Sequence, residues 1–209
     1  MSKNKLEKFA QMAEFKNVVQ PEDLKICNFQ YKGKWSSDFF GNTNGITLEL
    51  GCGKGEYTVA LSRMSPSTNF IGVDIKGARI WHGAKEAIEG NIGNAGFLRT
   101  RIDMIDNFFG PGEVGEAWIT FCDPQPKKQN KRLTSAHFLN LYRRFMKDGA
   151  IINLKTDSRL LHFYTLALLK ANGVEPLAAT DDLYASQLQD PVLSIKTFYE
   201  RGFLEQGKK

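Results

Sequence analysis

The chain has 209 residues, 42% hydrophobic and 24% charged, enough for one sizeable core and ordinary for a globular protein. Its 28 Lys plus Arg against 23 Asp plus Glu give a net charge of +5, which suits a polyanionic partner without requiring one. No stretch approaches the ~20 consecutive apolar residues of a membrane span, and MSKNKLEKFAQMAEFKNVVQ has no apolar signal core behind its lysines; a cytoplasmic protein without a membrane partner is expected.

Residues 1–45 read as an N-terminal extension and a lead-in loop (31–45) that pack on a main domain over 46–209. Cys27, Cys52 and Cys122 are odd in number, far apart and without CxxC spacing. A disulfide framework and a zinc cluster are therefore not indicated, and buried free thiols and no metal are expected. ITLEL (46–50) reads as a buried strand. After GCGKG, residues Tyr57, Val59, Ala60, Leu61 and Met64 recur at helical spacing. NFIGVDI (69–75) is a second strand, 77–89 a helix, GFLRTRI (96–102) a third strand and EAWITFC (116–122) a fourth. Residues 134–147 read as a helix with Phe138, Leu139, Leu141, Tyr142, Phe145 and Met146 on one broad side, stopped by Asp148-Gly149. AIINLKT (150–156) is the fifth strand, and 158–170 a helix ended by Asn172-Gly173. Phe163 and Tyr164 are assigned to the core. His82, His137 and His162 share no evident face and are assigned core or surface roles rather than catalytic ones.

Five alternations of strand and helix require right-handed crossovers, so the expected fold is a doubly wound α/β sandwich with a mostly parallel sheet and helices on both faces. Ligands of such sheets sit beyond the carboxyl ends of the strands. GCGKG, Asp74, Asp103, CDPQPKK and KTD all fall on that edge, each from a different strand.

Gly51, Gly53 and Gly55 let the backbone turn tightly from strand to helix and leave no side chain between a ligand and the helix N-terminus. The dinucleotide fingerprint wants a sixth-position glycine, where Glu56 stands and would oppose a pyrophosphate; Gly-Lys-Ser/Thr of a P-loop is absent too. Glu49, two residues before the first glycine, favours a ligand with a positive end. Asp74 closes the second strand, where a carboxylate accepts hydrogen bonds from ribose hydroxyls. Asp103 follows the third strand, either within reach of an adenine amino group or as a cap of the next segment. Together these residues resemble the S-adenosylmethionine site of Rossmann-like class I methyltransferases, against a nicotinamide, flavin or purely structural reading.

Asp123 sits before Pro124 with Pro126 beyond it, on a stiffened shelf at the end of an apolar strand. A carboxylate held there orients an acceptor and stabilises positive charge appearing on it. Lys127, Lys128, Lys131 and Arg132 then either grip phosphates or form a hydrophilic lead-in to the next helix.

Through KFAQMAEFKNVVQP, YKGKW, LELGCGKGEYTVALS, NFIGVDIK, FGPGEVGEAWITFCDPQPKK, RLTSAHFLNLYRRFMKDGAIINLKTDSRLLHFY and TFYERGF, nearly the whole chain resembles the bacterial tRNA (guanine-N7-)-methyltransferases. That resemblance implies a methyl transfer from S-adenosyl-L-methionine to a guanine N7 in tRNA, in the variable loop. It implies that Glu49, Asp74, Asp103 and Asp123 contact the methyl donor, with Asp123 also catalytic. It places Lys127, Asp157, Thr197, Phe198, Tyr199 and Glu200 on the guanine, and Gln129, Asn130, Lys131, Arg132, Leu133 and Thr134 on RNA. For Asp157 a helix N-cap role stands beside the substrate role. The sequence departs from the family at Gln125, where tryptophan is common, in a basic segment QNKR that is shorter and poorer in arginine, and in a last strand expected beside the fifth, without which a sheet edge is exposed or otherwise covered. The alternatives are a methyltransferase of the same fold acting on another RNA or a small molecule, and an RNA-binding subunit without turnover. Monomer and homodimer are equally compatible with the sequence.

Overall fold

The computed structural model describes residues 3–24, 28–188, 190–197, 200 and 202, and of residues 3–6 the backbone alone. Cys27 lies outside them. Among the described residues six parallel strands form one sheet in the order β1-β4-β3-β2-β5-β6: β1 (Val18–Val19), β2 (Gly45–Leu50), β3 (Thr68–Asp74), β4 (Ala95–Arg99), β5 (Val114–Thr120) and β6 (Met146–Lys155). The helices are α1 (Lys3–Glu14), α2 (Glu56–Met64), α3 (Gly77–Glu89), α4 (Ala136–Tyr142) and α5 (Arg159–Ala171). The doubly wound α/β fold expected from the strand–helix alternation is the one observed. From β2 the chain steps to β3 and β4 on one side, then returns to β5 and β6 on the other. The direction therefore reverses at the carboxyl ends of β2 and β5, where such sheets bind ligands.

β2 and β3 are near-continuous buried runs, as a parallel sheet covered on both faces demands. On one face Ile46, Leu48, Leu50, Ile71 and Val73 meet Trp35, Phe108, Phe109 and the α4 side chains Phe138 and Tyr142. On the other, Phe97 packs with Val59 of α2, Ile80 and Ala84 of α3 and Met12 of α1, while Tyr57 and Leu61 cover Phe70 and Trp118.

Several elements differ from the sequence expectation. The N-terminal segment supplies a strand, β1, which pairs with β4 through Val18↔Phe97 and Val19↔Leu98. The loop over 31–45 contains a π-helical turn, Trp35–Phe39, whose Trp35 is fully buried and donates Nε1–H to the Phe108 carbonyl at 2.8 Å. The third strand stops at Arg99, because Asp74↔Arg99 is its last rung with β3; a 3₁₀ helix, Ile102–Asn107, follows. The helix expected to reach residue 147 ends at Tyr142, and β6 already begins at Met146. Asp148-Gly149 marks not a helix stop but an irregularity within β6: the register jumps from Val114↔Met146 to Glu116↔Ile151, and Gly149 absorbs the bend at φ 76°. Phe163, expected in the core, is 51% exposed, and among the described residues β6 forms an edge of the sheet with Ile151 and Ile152 exposed. Among the described residues no helix is long and apolar enough to cross a membrane.

Candidate methyl-transfer site

A cavity of about 720 Å³ opens beyond the carboxyl ends of β2, β3 and β5. Glu49, Gly51, Gly53, Asp74, Asp103 and Asp123 all line it. Gly51 and Gly53 turn the chain off β2 at φ 81° and 56°, and a Cβ at either would meet nothing within 4 Å, so backbone conformation alone calls for glycine there. Gly55 serves differently. It too has a positive φ, 74°, but its added Cβ would lie 2.5 Å from Phe97 Cε1 and 3.2 Å from Gly83 Cα. It lets α2 seat against α3 and the sheet, and it is not among the residues that line the cavity.

Glu49 is 3% exposed. Its Oε2 accepts the Thr58 backbone N–H at 2.8 Å and the Thr58 hydroxyl at 2.5 Å; its Oε1 accepts the Thr120 hydroxyl at 2.7 Å. One carboxylate thus ties β2 to α2 and β5. Burial pushes its pKa from the ordinary 4.5 up to about 7, against the opposing pull of the two threonines. Asp74 is half-buried and oriented by backbone: Oδ2 accepts Gly53 N–H at 3.0 Å and Oδ1 accepts Lys76 N–H at 2.8 Å. Each oxygen keeps a lone pair for a hydroxyl. Asp103 pairs with Arg101, whose Nε donates to Oδ1 at 2.9 Å, and this hydrogen bond holds the Asp103 carboxyl below the usual range. Burial raises the Cys52 thiol well above its ordinary pKa and pushes Cys122 up to about 12, so both are inert neutral thiols.

Asp123 lies on the exposed rim, its Oδ1 accepting Gln125 N–H at 3.0 Å. It also borders a second depression, about 350 Å³, shared with Gln125, Pro126, Lys127, Lys128 and Lys131. The loop that carries it is strained: Phe121 and Gln125 both have φ 47°, a left-handed conformation costing non-glycine residues roughly 1–2 kcal/mol each. Phe121 is fixed by its N–H to the Lys155 carbonyl at 2.8 Å. Arg132 fixes the other end, donating Nε–H to the Pro124 carbonyl at 3.2 Å and a terminal N–H to the Pro126 carbonyl at 3.4 Å, with its guanidinium over the Tyr164 ring at 4.2 Å.

Not every expected residue faces outward. Gln129, Asn130 and Lys131 are exposed, whereas Arg132, Leu133 and Thr134, expected to touch RNA, are buried. Their side chains hold the loop: besides the Arg132 bonds, Thr134 bonds the Thr165 hydroxyl of α5 at 2.7 Å. Asp157 is exposed and is not the α5 cap; Ser158 is, accepting Leu161 N–H at 3.3 Å. Thr197 lines the main cavity. Glu200 is 5% exposed and engaged by Lys155, Tyr184 and the Thr197 backbone. Phe198 and Tyr199 lie outside the described residues. Sequence reasoning did not single out Thr58 and Thr120, which set Glu49, nor Arg79, which also lines the cavity; His137, assigned a core or surface role, lines it too. The Thr58 signal was available, since a threonine in the first turn after a glycine loop presents both N–H and hydroxyl to a preceding strand.

The family model Methyltransf_4, described as "Putative methyltransferase", matches residues 43–209. A tRNA (guanine-N(7)-)-methyltransferase of Bacteroides thetaiotaomicron is 52% identical over 209 residues, 99% of this chain and 83% of that protein. A protein of the same name from Christiangramia forsetii is 51% identical over 212 residues, 99% of this chain and 95% of its own length. The Bacillus subtilis protein of that name is 34% identical over 194 residues, covering 91% and 89%. The chain belongs to the tRNA (guanine-N(7)-)-methyltransferase family.

Proposed function

We propose that this chain transfers the methyl group of S-adenosyl-L-methionine to N7 of a guanine in tRNA, the variable-loop guanosine implied by the family resemblance. The observation that carries the reading is the row of carboxylates, Glu49, Asp74, Asp103 and Asp123, along one cavity at the point where the sheet reverses direction. These acceptors fit a ligand with a cationic end, a ribose and an amino-bearing base, and they oppose a pyrophosphate. When bound, S-adenosyl-L-methionine supplies an electrophilic methyl group on a sulfonium sulfur.

The chain's own residues supply alignment and charge. Guanine N7 already offers an in-plane lone pair, so no base need remove a proton there, but the methylated ring becomes cationic. Asp123, fixed on its strained shelf between the two depressions, orients the acceptor and stabilises that positive charge. Asp157, exposed just beyond β6, accepts the guanine N1 and N2 hydrogens. Glu200 has its carboxylate oxygens engaged and acts by holding Thr197 in the cavity wall. Lys127, Lys128 and Lys131, with Gln129 and Asn130, meet the tRNA backbone from the exposed side of the loop. Incubation with labelled S-adenosyl-L-methionine and unmodified tRNA, followed by nucleoside analysis, should yield N7-methylguanosine. Label in any other nucleoside, or none from a donor-binding sample, overturns the reading.

A further inference from the structure

Lys155 ends β6 and is 7% exposed, yet nothing in the chemistry above uses it. Its ammonium donates to the Leu193 carbonyl at 2.9 Å, to the Ile195 carbonyl at 3.0 Å and to Glu200 Oε2 at 3.0 Å, and lies 2.8 Å from Glu200 Oε1. All three donors of a lysine are thereby consumed by one segment 38 to 45 residues away in sequence. The rings of Tyr57 and Phe121, each 5.6 Å from Nζ, wall the charge off from solvent.

Other described residues near this segment tie it down as well. Tyr57 donates its hydroxyl proton to the Val192 carbonyl at 2.9 Å, and Val192, Leu193 and Ile195 pack on Tyr57, Leu61, Phe70 and Trp118. Tyr184 donates to Glu200 Oε1 at 2.7 Å. Thr197 and Glu200 close on each other: Thr197 N–H donates to Glu200 Oε2 at 3.3 Å and Glu200 N–H to Thr197 Oγ1 at 3.2 Å. Among the described strap residues, Thr197 alone lines the main cavity.

We infer that Lys155 is a positioning residue, which fastens Leu193, Ile195 and Glu200 as a strap across the carboxyl edge of the sheet and so sets Thr197 against the bound guanine. It acts through the strap and touches no reacting atom. A buried ion pair contributes little net stability, because desolvation of both charges offsets their attraction; what it fixes well is geometry. A hydrocarbon side chain at 155 would fill the space and release the strap. The inference rests on the proposed tRNA methylation for its consequence, but not for its geometry.

Lys155→Met and, separately, Glu200→Gln test it. Amide exchange over residues 190–197 should accelerate about tenfold or more in Lys155→Met while β2, β3 and β5 keep their protection. Donor affinity should stay within about threefold, and kcat/KM for tRNA should fall about thirtyfold or more, with a smaller loss in Glu200→Gln, where both carbonyl bonds remain. Unchanged exchange over 190–197 overturns the inference, as does exchange that rises equally across the sheet, which would make Lys155 a general staple. If Lys155→Met does not fold, the same two outcomes are read from Glu200→Gln. Because exchange needs no turnover, a parent protein that fails to methylate tRNA would defeat the proposed activity and still leave the strap decided.

Discussion

The two halves of the carboxyl edge are held by different means. Around Glu49 and Asp74 the turns and helix start next to the sheet fix the acids: Asp74 is gripped by two backbone N–H groups, and Glu49 by a helix-turn N–H and two hydroxyls. Across β5 the Phe121–Lys155 backbone bond is the last such tie. Beyond it, the Asp123 loop hangs on Arg132, and Leu193, Ile195 and Glu200 hang on Lys155. A donor cofactor has one shape and suits a preformed, backbone-built socket. A tRNA must enter and leave, which suits walls that side chains hold and can release.

Changes in the two halves should therefore fail differently. Asp123→Ala, on the exposed rim, should lower kcat about 10²- to 10³-fold with the melting temperature unchanged. Single-turnover kinetics with saturating donor checks this, and activity equal to the parent's removes Asp123 from the mechanism. In the other half, Gly55→Ala should act on the fold: the added methyl would collide with Phe97 and the Gly83 backbone at a left-handed φ, at a cost of about 2–4 kcal/mol in denaturant unfolding. Gly53→Ala meets no neighbour and should cost only about 1 kcal/mol from its backbone conformation. Equal losses at the two glycines would erase the distinction between packing and turning.

A third test sharpens the donor half. Glu49, raised to about 7, is largely neutral in the free protein below that pH. An acid whose folded pKa lies above its ordinary 4.5 stabilises the fold at low pH and loses that contribution as pH rises towards 7. A cationic ligand end binds the ionised form, so donor affinity should move the opposite way, increasing about tenfold between pH 6 and pH 8. Calorimetric titration across that range checks it, and Glu49→Gln should flatten the profile. A parent profile already flat would mean that Glu49 does not meet the cation.

The same contrast explains what could be read from the sequence. Asp74 was legible because a strand end followed by a helix start leaves a carboxylate only one place to point. Glu49 was legible as an acid before the glycines, but its titration was not, since that is set by its burial in the folded chain, opposed by hydroxyls of Thr58 and Thr120 that are 9 and 71 residues away. Arg132 shows the limit on the substrate side. In sequence it continues a string of cations; in space the chain turns at a short 3₁₀ helix, Gln129–Lys131, and sends its guanidinium back onto the proline carbonyls. The end of the helix expected over 134–147 failed for a related reason: its apolar pattern runs on to Met146, but Met146 pairs with Val114 of β5 and opens β6.

Lys131 offers the smallest effect and the finest discrimination. It is exposed, borders both depressions and stands beside an arginine of the same charge that is 4% exposed. If it meets phosphate, Lys131→Ala should weaken tRNA binding a few-fold at low salt and reduce the slope of log affinity against log salt by about 0.7–0.9, one ionic contact, with donor affinity and stability unchanged. An unchanged slope would place the RNA path away from this loop. The contrast with Arg132 is then one of side-chain direction rather than charge: of two adjacent cations, the one facing solvent sets how tightly the polyanion is held, and the one facing inward sets where Asp123 stands.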